Sequence, residues 1–427
     1  MSTPQGLSLE YLPPLRRIFA FLRVSPWLAA LAWTALGTLD IVLDPFHRLA
    51  PPVIGAVHLL TLGALMSIWI AASVQFSAVM TAVKLPLEGL WLGIWRWGLW
   101  SGLALFAGGL FMGKATWVGT AVVLLAMTLL SYSLMMLVLA VRQGAYAELV
   151  QAWLGLLLTI FLGWQQSSLH HGQMGWVLLP PDARWTHLHI LTAFSAWAGV
   201  LIIAVSSRFV PMFFVTPALS DRWRIGLAGL LSGVPVLGLG CALAGRWGAL
   251  GALVLVSAWA GCLYLWLIDR CLRARRRSVS EPAIEFWRKL WIVALIAAGL
   301  TTLSQMIPDR LDQTALGALW LWGVIMGVML AMLFKIVPFL SYLHLQRAAE
   351  GDYQKIRALP GMRVIWPPAD QERLLILHLV VCLVLCAVII QLLPLWVAAL
   401  SAAMESLWLG RAMARALRLF REASEQL

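Results

Sequence analysis

The chain has 427 residues, of which 61% are hydrophobic and 12% charged, with 24 tryptophans and a mean hydropathy of +0.86. A water-soluble domain with that balance would expose large apolar patches, so the composition excludes a soluble enzyme and predicts a polytopic membrane protein. The formal net charge of +12 raises nucleic-acid binding as a class, and the placement of the basic residues removes it.

The first 25 residues carry Arg16, Arg17 and Arg23 but no short apolar core followed by a small-residue cleavage site, so no cleaved leader is expected. Apolar runs long enough to span a bilayer, about 20 residues each, follow at 26–44, 52–79, 91–111, 116–141, 148–169, 187–216, 224–244, 247–268, 290–307, 314–341, 372–393 and 394–410. This pattern predicts an all-α polytopic membrane protein of twelve transmembrane helices forming a single transmembrane domain over 1–427. With the N-terminus in the cytoplasm, the outer loops receive Arg48, Lys114, Arg184, Arg246 and Arg310. The inner loops and helix ends receive nearly all other basic residues, including Arg270, Arg273, Arg275, Arg276, Arg277, Arg347, Lys355, Arg357, Arg363, Arg411, Arg415, Arg418 and Arg421. That asymmetry is the positive-inside signature of an N-in, C-in protein of a bacterial inner membrane. The basic excess is then a topology signal that meets lipid headgroups, with no nucleic-acid partner. The five cysteines lie in or beside apolar runs and predict no disulfide framework. Trp95, Trp97, Trp100, Trp117, Trp176, Trp185 and Trp247 fall near predicted helix ends and are assigned to aromatic belts.

The chain also repeats. Pro181-Asp182 through Arg208-Phe209-Val210-Pro211-Met212-Phe213 aligns without a gap to Pro308-Asp309 through Lys335-Ile336-Val337-Pro338-Phe339-Leu340, an offset of 127 residues. A weaker match sets His58-Leu59-Leu60-Thr61 over His189-Ile190-Leu191-Thr192, an offset of 131. Predicted helices 2, 6 and 10 are therefore equivalent. The chain resolves into three pseudo-repeats of four helices, at roughly 20–145, 146–270 and 285–420, all in one orientation.

Histidine is rare within membrane spans and usually functional there. His58, His187 and His189 fall near the outer ends of helices 2 and 6, with His47, His170 and His171 in the outer loops. His187 and His189 are two residues apart, so their side chains point about 200° apart on a helix. They cannot grip one small ion together, but they can serve sites on two sides of the same helix. His344 and His378 fall on the inner side.

Three units of four helices, a His-x-His on one repeat-equivalent helix and a lone His on another together resemble the catalytic subunit of heme-copper oxidases and nitric oxide reductases. His58-Leu59-Leu60-Thr61-Leu62-Gly63 is also similar to the His-containing helix starts of the NnrS proteins, twelve-helix heme relatives tied to nitric oxide stress. The resemblance implies one or two b-type hemes. His58 and His189 match the axial pair of a low-spin heme, and His187 matches the ligand of a second, high-spin heme. It also implies redox or gas chemistry with NO or O₂, and a periplasmic electron donor or a second subunit as partner. Two features depart from the family: its His-x-His lies on the tenth helix, where this chain has Thr314 and Leu316, and its His-x-x-x-Tyr copper-ligand motif is absent.

Other readings compete. His170 and His171 offer an imidazole pair for copper, and His378, Cys382 and Cys386 recur at helical spacing with ligands that suit Cu(I). Arg184 and His47 are the basic groups best placed for heme propionates. A membrane transporter or a copper-handling permease without heme is the alternative class, and Gln75, Gln165 and Gln391 are the polar residues that a transporter needs. Beyond Asp40, Asp44 and Glu405 no acidic ladder lies inside the helices, Glu148 and Glu372 standing at span starts, so there is no obvious proton relay. The absence of Cys-x-x-Cys-His removes covalent c-type heme.

Overall fold

The structure is a computed structural model that describes residues 13–43, 47–81, 85–142, 147–170, 178–180, 182–276 and 279–427. Among the described residues the chain forms no strand and twelve long helices: α1 (Leu15–Val42), α2 (51–81), α3 (Glu88–Met112), α4 (Ala115–Arg142), α5 (Ala147–His170), α6 (Trp185–Phe214), α7 (Asp221–Leu243), α8 (Ala249–Arg273), α9 (Pro282–Met306), α10 (Gln313–Ala348), α11 (Pro368–Ile389) and α12 (Leu395–Glu425). Nine of these, all but α3, α9 and α12, are long and apolar enough to cross a membrane. The protein is an all-α, multi-pass membrane protein.

Local chemistry sets many of the helix ends. Proline opens α2, α9 and α11 in the first turn, where its missing N–H costs nothing. The Asp312 carboxylate caps α10 by accepting from the Thr314 and Ala315 N–H groups at 2.8 Å. Gly113 ends α3 at φ +65°, in the left-handed region that suits a residue without Cβ. Pro211 and Pro338, each a candidate break, both lie inside continuous helix, and α10 runs on to Ala348. Their ring clash and lost N–H are tolerated where neighbouring helices satisfy the backbone.

Three helices form the centre. The span windows of α2, α6 and α10 are 72%, 61% and 83% buried, against 39–56% in the other six. Rings lock them together: Trp69 meets Trp197 at 4.5 Å, Phe76 meets Phe209 at 5.4 Å and Phe213 meets Phe339 at 5.3 Å. Around this core, α1 packs along α12 and closes the bundle, with Gly37 and Ala399 letting the two backbones approach. Trp33 of α1 then reaches Trp322 of α10, their centroids 5.6 Å apart.

Each central helix contains a π-helical segment, at Leu59–Leu65, Ala193–Gly199 and Leu319–Met326. Each segment closes with a bond to the fifth preceding residue: Met66 N–H to the Thr61 carbonyl, Val200 to Ser195, and Gly327 to Trp322. π turns are rare and concentrate at functional positions, and the three here fall on the helices that the sequence repeat pairs. Two further contacts recur along the chain. The Ser73 hydroxyl lies 2.6 Å from the Tyr132 hydroxyl, and Ser206 lies 2.6 Å from Tyr264. At the end of the bundle where α1 begins, Arg17 of α1 faces Glu88 of α3, while Glu148 of α5 pairs with Arg224 of α7, the same contact with its charges exchanged.

The tryptophans divide differently from a simple belt. Trp97 and Trp117 are exposed as a belt requires, but Trp95 and Trp185 are fully buried. Their indole N–H groups donate to Ser131 and to the Pro180 carbonyl, so these rings fill the core with their polar edges satisfied. Trp176 lies outside the described residues. All five cysteines are free thiols.

The Glu148–Arg224 pair is buried on both sides, whereas the Asp182–Arg184 pair is solvent-facing. Glu148→Ala is expected to lower stability by about 3 kcal/mol, because it removes the buried partner of the Arg224 guanidinium and leaves it the exposed Asp221 carboxylate. Asp182→Ala is expected to cost less than about 1 kcal/mol. Denaturant unfolding in detergent, followed by circular dichroism, measures both.

Candidate functional site

His58 stands one residue before the π segment of α2, and His189 stands four residues before that of α6. Both rings are half-buried. The Nδ1 of His58 is 2.8 Å from the Ile54 carbonyl one turn earlier, and the Nδ1 of His189 is 3.0 Å from the Thr159 carbonyl of α5. A carbonyl only accepts, so each Nδ1 carries the proton and each Nε2 presents a lone pair. Among the described residues neither Nε2 has a hydrogen-bond partner. The two imidazoles lie close enough to interact electrostatically. Phe106 of α3 packs edge-on against His58 at 5.0 Å, and Gly163 of α5 leaves space beside His189, where a Cβ would sit 3.1 Å from the ring. The result is a pair of imidazoles from two adjacent helices, each with its Nδ1–H fixed on a carbonyl and its Nε2 lone pair free of protein donors among the described residues.

The other predicted ligands sit elsewhere. His187 is exposed and within electrostatic reach of Arg48, on a different side of α6 from His189 as the two-residue spacing requires. The side chain of His170, which ends α5, and the whole of His171 lie outside the described residues. Arg184 does not turn toward the histidines. Its guanidinium is held by Asp182 at 2.6–2.9 Å and stacks over Trp247 at 4.7 Å, and this pairing keeps the Asp182 carboxyl below the usual carboxylate range. His47 accepts from the Leu49 N–H at 3.3 Å in the turn before α2. At the opposite end of the core, Lys335 pairs with Glu281 and lies 5.2 Å over the Phe214 ring.

The copper reading of the α11 stripe fails on geometry. His378 is fully buried and both of its nitrogens are used: Nδ1 faces Glu405 Oε1 at 2.8 Å, and Nε2 donates to the Gly323 carbonyl at 3.0 Å. Glu405 Oε2 accepts from the Trp322 indole N–H at 2.7 Å. No ring nitrogen remains for a metal, and among the described residues no group of three or more His, Cys, Asp or Glu side chains is arranged to hold one. This cluster ties α10, α11 and α12 together inside the bundle, and the Gly323 carbonyl it uses belongs to the third π segment. Sequence reading isolated His378 and Glu405 separately. Their partnership, across 27 positions, carries no local signal.

No protein-family model matches the chain, and no curated protein matches it.

Glu405→Ala would leave both the His378 Nδ1 proton and the Trp322 N–H without an acceptor. It is expected to cost about 3–5 kcal/mol in detergent unfolding. Glu405→Gln keeps a carbonyl acceptor and is expected to cost clearly less. Equal effects from the two substitutions would show that the carboxylate's hydrogen bonds do not hold these helices.

Proposed function

We propose that this protein binds one b-type heme, which His58 and His189 would hold between α2 and α6, and that it works in one-electron transfer within a bacterial inner membrane. The observation that carries this reading is the pair of imidazoles on neighbouring central helices, each with Nδ1–H anchored on a carbonyl and Nε2 left as a lone-pair donor. Histidines that ligate metals are set in this way, because the second-shell acceptor fixes the tautomer and the ring's orientation. A b-type heme held by two imidazoles would supply electron transfer rather than gas binding. The reading therefore narrows from NO or O₂ chemistry to electron carriage. Gly163 makes room for the His189 ring, and Phe106 shields His58 from one side. The exposed His187 lacks any comparable enclosure, so it adds no second heme to this proposal.

In the same reading all twelve long helices cross the bilayer as three four-helix units, with both termini in the cytoplasm. The recurring π segments and the paired Ser–Tyr contacts support the unit structure. The concentration of basic residues at the end opposite His58 and His189 supports the orientation. An electron donor or a second subunit on the outer side would then meet the histidine end.

The transporter reading loses two of its three polar residues. Gln165 Oε1 accepts from the Leu178 and Leu179 N–H groups at 2.7 and 3.2 Å and anchors a loop, and Gln391 sits in the turn after α11 at φ +61°.

Purified protein from cells grown with ample heme precursor is expected to show a reduced b-type spectrum and one heme per chain by pyridine hemochrome. His58→Ala and His189→Ala are each expected to lower heme affinity at least about tenfold, since loss of a mere supporting contact already costs that much. His187→Ala should retain the heme. A heme-free wild type, or full occupancy in both His58→Ala and His189→Ala, refutes the assignment.

A further inference from the structure

We propose that the junction of α2, α6 and α10 binds a lipid-soluble molecule that carries a carbonyl or hydroxyl oxygen on an apolar body. The second halves of these three helices converge on the start of α1 around a partly open cleft with about 50 Å³ of free space at its base, room for the oxygen-bearing end of a ligand whose apolar body extends outward. The cleft walls are apolar, with Leu22, Trp69, Leu201, Val205, Met332 and Ile336 among them. Ser73 and Ser206 also reach the walls, but their hydroxyls are taken by Tyr132 and Tyr264. One side chain does not fit this lining. Gln75 is 4% exposed, and among the described residues neither its amide nitrogen nor its amide oxygen has a hydrogen-bond partner.

A buried amide left unpaired is strongly unfavourable, more so in a protein surrounded by hydrocarbon. Water is a poor remedy, because an ordered buried water needs two to four polar partners and the lining is almost wholly apolar, with the Ser73 and Ser206 hydroxyls already bonded to Tyr132 and Tyr264. An apolar occupant bearing a single oxygen resolves the mismatch: its body meets the aliphatic and aromatic walls, and its oxygen accepts from, or donates to, the Gln75 amide. Met332 and the neighbouring Met329 add flexible thioether walls that adapt to an occupant's shape. Gln75 lies about 25 Å along α2 from His58 at helical rise, so this site is separate from the imidazole pair and does not depend on the heme reading.

Two membrane components share the required chemistry: quinones or quinols, and single-chain lipids such as fatty alcohols. The full-length protein in phosphatidylcholine nanodiscs, titrated with a short-chain benzoquinone in one arm and 1-dodecanol in the other, distinguishes them. Saturable binding with a raised melting temperature in one arm identifies the source, since a ligand of the folded state stabilises it. In that arm Gln75→Leu is expected to weaken binding about tenfold, and Met332→Trp, which fills the cleft, to abolish it. Without probe, Gln75→Leu should be at least as stable as the wild type, because it removes an unpaired buried amide. The proposal is overturned if neither probe binds saturably, if both variants bind as the wild type does, or if Gln75→Leu alone is destabilised.

Discussion

Inside a hydrocarbon medium every backbone N–H and C=O has to find a partner within the protein, and departures from the α-helical ladder are tolerated only where other groups take over. The centre of this molecule is built on such departures. Met66, Val200 and Gly327 each reach back five residues instead of four, and the backbone around them is wider and less regular than a helix that faces lipid. Those turns are enclosed: α5 presses against the second one so closely that a Cβ on Gly155 would meet the Ala196 carbonyl at 2.3 Å. In the third, the Gly323 carbonyl receives the His378 N–H. The ring of outer helices is therefore what makes the irregular core affordable.

The same arrangement treats its histidines in two opposite ways. Around α2 and α6, His58 and His189 have one nitrogen fixed and the other unclaimed among the described residues, a state suited to a ligand. Around α10, the His378 imidazole is closed off by Glu405 and Gly323, and the Trp322 indole completes the network. One part of the core thus carries open donors, while another is sealed by protein groups. Position 316, which the repeat sets over His189, is leucine, so α10 has no equivalent donor to open.

How legible this was depends on the kind of interaction. The all-helical, membrane-spanning character and the approximate bounds of most helices follow from hydropathy, because burial in lipid demands long apolar runs. Nine of the twelve predicted spans meet that demand in the structure. The bounds slipped where polar ends extend a helix beyond the hydrocarbon, as in α1, which starts at Leu15 before Pro26, and α12, which continues to Glu425. Trp95 and Trp185 looked like belt residues because depth along a helix was readable but its facing was not. The roles of Arg184 and Gln165 reversed because short-range partners, Asp182 and the Leu178 and Leu179 amides, satisfy them first.

By itself the sequence determined that this is a membrane-embedded helical bundle and which histidines sit at one end of its central helices, since composition, periodicity and spacing are local quantities. Tertiary structure alone decided which nitrogens are left open and which are consumed. It also decided where π turns interrupt the helices, and that Gln75 faces an apolar cleft without a partner among the described residues. Those outcomes depend on which surfaces of distant helices meet, and hydrogen-bond satisfaction between residues far apart in the chain leaves no trace in the order of the residues.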